Sequence, residues 1–196
     1  MPNYCNNVVE ISHPDPAKLQ EVIEAYNRSE FCSYAVPVPT ELTTTMAGSF
    51  ANTAQREAHE AQQKLNEATY GYKNWYDFCV SKWGTKWDCG PDGDPTALEA
   101  GQTQVTLSFV SAWAPPCGVY EALEDQGFAV RAYYDEPGMG FCGVWYDGDD
   151  DYYEYGGMGS MEVAELLPTE LDEMFCISET VANFEEANEE AEEEDL

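Results

Sequence analysis

"YCNNVVEISHPDPAKLQEVIEAYNRS", residues 4 to 29, decides how the fold is read. Its first part alternates into a β-branched run and predicts a strand. Asp15 then stands as a cap and Pro16 takes the first helical position. Leu19, Val22, Ile23 and Tyr26 recur at i, i+3, i+4 and i+7, so a helix with one apolar face follows. A strand leading into a core-facing helix opens a β-α-β unit.

"FCSYAVPVP" (31–39) predicts a second strand that stops at Pro37 and Pro39, since neither fits a central ladder. "TELTTTMAGS" (40–49) reads as a loop. "ANTAQREAHEAQQKLNEATYG" (51–71) favours helix but carries little apolar stripe, as expected of a half-exposed helix in an insertion. Trp75, Phe78, Cys79 and Lys82 then keep helical spacing until Gly84. "QTQVTLSFVSAW" (102–113) alternates as a strand, and "PPCGVYEALEDQG" (115–127) predicts a second core helix through Val119, Tyr120 and Leu123. "FAVRAYYDE" and "GFCGVWYDG" read as strands joined by the turn "EPGM", with "YYEYGG" pairing beyond "DGDDD". "SMEVAELLPTELDEMF" predicts a helix broken at Pro168.

This order predicts an α+β fold: a ferredoxin-like sandwich, its sheet mostly antiparallel with helices on one face. The domain would span residues 1–157 with a helical insertion at about 41–95. Residues 158–196 would form a helical acidic extension, and the sequence leaves the order of its tail open.

Of the 196 residues, 43% are hydrophobic and 13% aromatic, too apolar for a disordered chain despite a net charge of −30. No apolar stretch approaches the ~20 residues of a membrane span. The start lacks a basic region followed by an apolar one, so a cytoplasmic protein is expected. Seven cysteines include no C-x-x-C pair, and His13 and His59 are isolated; buried reduced thiols are expected, with no metal.

The charge is segregated. The last basic residue is Arg131, and residues 132–196 carry 21 of the 38 acids. "EEANEEAEEEDL" holds eight acidic side chains in twelve residues. As a helix it would place one charge per roughly 2 Å, against about 1.7 Å for duplex DNA. Alone, such a tail reads as a solvated, fraying end. Combined with "DGDDD" in a basic-free stretch, it reads as a surface for a strongly basic partner.

Several segments together resemble the YubB ferredoxin-like family, small proteins carried by bacteriophages and plasmids. They are "PNYCNNVVEI" (2–11), "VPVP" (36–39), "YGYKNWYDFCVSKWGTKWDC" (70–89), "SAWAPPCGVYEALED" (111–125) and "YDEPGMGFCGVWYDGD" (134–149). The resemblance covers about the first 150 residues. It implies a ferredoxin-like topology and a mobile-element origin, and it brings no activity with it. No iron–sulfur ligand run is present.

Catalytic signatures are missing. The sequence has no phosphate-binding glycine loop, no G-x-S-x-G and no H-E-x-x-H, so a non-enzymatic protein without cofactor is expected. "DGDDDYYEYGGM" begins like a calcium loop, yet Tyr152 stands where glycine is needed and Met158 where glutamate is. Lys73, Lys82 and Lys86 beside Trp75, Tyr76, Trp83 and Trp87 suggest a stacking surface for single strands. Against a net charge of −30, a core segment whose lysines pair locally is the stronger reading, and no direct nucleic-acid binding is expected.

The expected function is binding to a basic, nucleic-acid-handling host protein through a surface that imitates nucleic acid, as an inhibitor of restriction or CRISPR defence would. The surface would comprise Asp147, Asp149, Asp150, Asp151, Glu154, Glu185, Glu186, Glu189, Glu190, Glu192, Glu193, Glu194 and Asp195. The alternative is a self-associating assembly module, a homo-oligomer with a solubilising tail.

Overall fold

The computed structural model describes residues 3–48 and 52–194. In chain order the elements are β1 (Tyr4–Ser12), α1 (Pro16–Asn27), α2 (Phe31–Ala35), α3 (Thr40–Thr43), α4 (Thr53–Tyr70), α5 (Trp75–Lys82) and β2 (Gln104–Ala112). Then come α6 (Cys117–Asp125), β3 (Ala129–Glu136), β4 (Phe141–Tyr146), β5 (Asp149–Glu154), α7 (Ser160–Leu166), α8 (Thr169–Phe175) and α9 (Ile177–Glu194). The strands form one antiparallel sheet in the order β2-β1-β3-β4-β5. β2 and β3 flank β1 and both oppose it, so β2, α6 and β3 make a split β-α-β unit around β1. The fold is α+β and consistent with a ferredoxin-like sandwich, extended at one edge by β4 and β5.

The β-α-β unit that β1 and α1 open is not completed. "FCSYAVPVP" is not a strand: Phe31–Ala35 is helical. The cause lies far away in sequence. Asp88 Oδ1 accepts the Cys32 N–H at 2.6 Å and its Oδ2 accepts the Ser33 N–H at 3.1 Å. A carboxylate there satisfies amides that the first helical turn leaves unpaired and faces the positive end of the helix dipole. Phe31, Cys32 and Ala35 turn into the core as a result.

Strand alternation sorts the apolar side chains onto two faces. On one, Val9 lies opposite Leu107 and Ala132, and Ala132 opposite Trp145. These join Leu19, Ile23 and Tyr26 of α1, Phe31 of α2, Phe78 of α5 and Tyr120 and Leu123 of α6 in the main core. On the other, Tyr133 and Cys142, beside Val8 and Val144, are covered by Val163, Leu167, Leu171 and Ile177. The helices expected on one face lie there, and the C-terminal extension adds a layer over the second.

In α4 the buried residue is Asn66, whose amide donates to Thr45 Oγ1 at 2.9 Å and to the Lys73 carbonyl at 3.0 Å. A polar anchor replaces the missing apolar stripe. Between β4 and β5, Asp147 and Gly148 have φ of 51° and 78°, the paired positive values of a two-residue type I′ turn. "DGDDD" therefore divides into a turn and the start of β5. No described helix is long and apolar enough to cross a membrane.

Candidate functional site

The tryptophan-rich segment buries Phe78, Cys79, Trp83 and Cys89 and leaves Trp75, Tyr76 and Trp87 half-buried. Trp83 is 3% exposed and its indole N–H donates to the Val36 carbonyl at 2.8 Å. Phe78, Cys79 and Cys89 lie in the same core. Backbone approach ties the segment to α6: a Cβ on Gly118 would collide with the Lys82 carbonyl oxygen. Two of its three lysines are engaged locally, while Lys82 is exposed. Lys73 Nζ is 3.9 Å from Glu67, and Lys86 Nζ lies 5.4 to 6.0 Å from the ring centres of Tyr76, Trp87 and Trp113. Tyr76 and Trp87, two of the rings expected to stack on bases, lie against the protein's own cation.

Cys79 and Cys117 are not activated nucleophiles. Burial pushes Cys79 and Cys117 up to about 12, which leaves them protonated near neutrality. Among the described residues no three His, Cys, Asp or Glu side chains are grouped to hold a metal ion. In β5, pairing opposite Tyr146 and Val144 puts Asp149 and Asp151 on one face, and Asp150 points to the other.

The acids singled out from sequence separate into two groups. Three accept hydrogen bonds within the chain. Asp150 Oδ1 accepts the Tyr134 hydroxyl at 2.7 Å, across Gly143, where a Cβ would collide with that phenol. Glu185 accepts both the N–H and the hydroxyl of Ser160, at 3.1 and 2.6 Å, tying α9 to the start of α7. Glu154 accepts the Tyr152 hydroxyl at 3.4 Å.

Asp147, Asp149, Asp151, Glu186 and Glu190 are exposed, with no side-chain hydrogen bond or ion pair among the described residues. Glu189, Glu192, Glu193 and Glu194 lie on the backbone of α9, their side chains outside the described set; Asp195 lies outside the described residues. The helical form on which the charge-density argument depended is present through Glu194.

Arg131, the last basic residue, lies on this side of the sheet among two rings and a carboxylate. Its guanidinium lies 5.4 and 5.5 Å from the ring centres of Tyr133 and Tyr146, and 3.6 Å from Glu170. Asp135 and Glu136 just beyond it are buried, whereas the acids of the β4–β5 turn and Glu186 and Glu190 face solvent, and no lysine or arginine follows Arg131 in the sequence.

A groove that the sequence reading missed lies beside α9. It is a cavity of about 590 Å³ between the β3–β4 turn, the loop after β5 and α9. Met139, Met158, Phe175, Val181 and Phe184 supply apolar walls. Asp135 is 5% exposed and accepts the Tyr155 hydroxyl at 2.7 Å. Burial raises its carboxyl above the usual range, against the lowering effect of that hydrogen bond. Ile177, Val181 and Phe184 recur at i, i+4 and i+7, so the inner stripe of α9 was visible in the sequence beneath its acids.

No family model matches the chain, and no curated protein matches it. Among solved structures, the crystal structure of a protein api92 from Yersinia pseudotuberculosis, described by the family model DUF1281, is similar over 80% of this chain and 99% of that chain. The sequence identity is 11% and the TM-score 0.42.

Proposed function

We propose that the chain is a non-enzymatic phage or plasmid protein related to the YubB ferredoxin-like family. It binds a basic, nucleic-acid-handling protein in the cytoplasm of the host cell and blocks that protein's nucleic-acid site, a restriction or CRISPR component being the class of target. The observation that carries this reading is the segregation of charge: 21 acids and no base after Arg131. Exposed carboxylates on the β4–β5 hairpin and on α9 present negative charge to a partner shaped for phosphates. Such a surface speeds encounter and selects against acidic or neutral partners.

Affinity purification from an expressing host tests it. A basic nucleic-acid-binding protein should be recovered, and its association rate should fall as salt rises from low to physiological strength. Recovery of the bait alone, or an association rate indifferent to salt, would sink the proposal.

One observation favours self-association as a second reading. β2 is the sheet's other edge strand, and its nine residues, Gln104–Ala112, contain no charged side chain. Uncharged edge strands invite pairing with another chain, whereas the acids of β5 discourage it. Sedimentation at micromolar protein should then show a dimer that Thr106→Lys disrupts; a monomer throughout ends this reading.

A further inference from the structure

We infer that the groove between α9 and the β3–β4 turn is the seat for an amphipathic, basic polypeptide segment, which inserts apolar side chains between Met139, Met158 and Phe184 while its lysines or arginines meet the surrounding carboxylates. The inference rests on the acidic-surface reading and says which part of that surface grips.

Three observations support it. The cavity, about 590 Å³, falls in the range that encloses a ligand. At its mouth Met139 is 70% and Phe184 68% exposed, an unfavourable use of apolar surface in a protein this charged. Its charge is of one sign: Asp135 and Glu185 line it, Glu186 and Glu190 follow on α9, and no lysine or arginine lines it.

These features together select the occupant. A polyanion would be repelled by the carboxylates, and a neutral apolar ligand would gain nothing from them. A basic amphipathic segment uses both, as helices laid into grooves do. Thioether walls adapt to side chains of differing shape, which suits a partner surface that varies between hosts. The hairpin tip lies at the other end of the β4–β5 pair, about 17 Å away by strand rise, so its acids would meet a different part of a partner.

The test uses the full chain and three peptides of equal length, read by fluorescence anisotropy at physiological ionic strength. One is an amphipathic helix of leucine and lysine; the second replaces leucine by serine, and the third replaces lysine by glutamine. The leucine–lysine peptide should bind roughly ten-fold more tightly than the serine–lysine peptide for each side chain seated. Phe184→Glu and Met139→Glu should each remove most of that advantage with unchanged circular dichroism, since both side chains are exposed.

Equal binding of the leucine–lysine and serine–lysine peptides would overturn the groove and leave the acidic surface standing. Equal binding of the leucine–glutamine peptide would show an apolar site indifferent to charge and overturn the choice of occupant. An advantage that survives both substitutions would place the apolar contact elsewhere and overturn the inference. No binding of either lysine peptide, even at low salt, would remove the acidic-surface reading as well.

Discussion

The tryptophan-rich segment 70–89 and the acidic stretch after Arg131 make opposite use of conspicuous composition. The first uses its aromatic residues on the protein's own structure: Trp83 and Phe78 are buried, and Lys86 lies over three rings of its own chain. The second turns many of its acids outward, buries Asp135 and Glu136, and uses others as hydrogen-bond acceptors. An unusual run of residues marks a place where the chain needs something, and burial distinguishes architecture from interface. Aromatic rings gain by leaving water, while unpaired carboxylates lose by it.

The comparison breaks if the first region proves dispensable. Trp83→Ala should cost about 3–5 kcal/mol, since it leaves a cavity and strands the Val36 carbonyl. Urea denaturation measures this, and a loss near zero would return the segment to the list of functional surfaces. Asp88→Ala removes the remote cap of α2 and should cost about 1–2 kcal/mol by the same measurement. Lys86→Gln should cost about 0.5–1 kcal/mol, the worth of a partly exposed cation–π contact. Parent and variant alike should fail to shift a single-stranded oligonucleotide in a gel, and a parent that binds and loses binding with Lys86→Gln would make this segment a functional surface.

In the acidic region the same experiments should give small numbers. Glu186→Gln with Glu190→Gln should shift stability by no more than about 0.5 kcal/mol, as surface changes do. If the proposed function holds, these substitutions should instead slow association with a basic partner, read by stopped flow.

Asp135 sharpens the boundary between the regions, because it is an acid of the C-terminal stretch that is buried. Its folded pKa is raised by burial, so the folded state binds the proton more tightly than the unfolded state. Stability is therefore lost as pH rises from the unfolded pKa, about 3.9, to the raised folded one, and stays lower above it. Asp135→Asn should lack the gain that the parent shows on acidification through that interval; parallel urea midpoints against pH would reveal it.

Much of the fold was legible. The Asp15 cap and Pro16 start α1, alternation marks β2, and helical spacing buries Val119, Tyr120 and Leu123 of α6. The region 31–39 was misread, because an apolar run too short for periodicity cannot tell a strand from a helical turn. Its conformation depends on Asp88, 56 residues later. The site was legible only as charge. Glu185 and Asp150 looked like the other acids, and nothing local distinguishes a carboxylate that caps Ser160 or receives Tyr134 from one that faces water.

The sequence by itself determined the α+β class, most of the elements and the segregation of charge, because caps, periodicity and turn residues act over a few positions. The tertiary structure alone decided three things: that 31–35 is a helix, that the acidic extension roofs the second face of the sheet, and that an apolar groove opens beside α9. Each depends on groups that meet only once the chain has folded: a distant carboxylate at an unpaired amide, an apolar stripe against an uncovered sheet, and two loops against a helix.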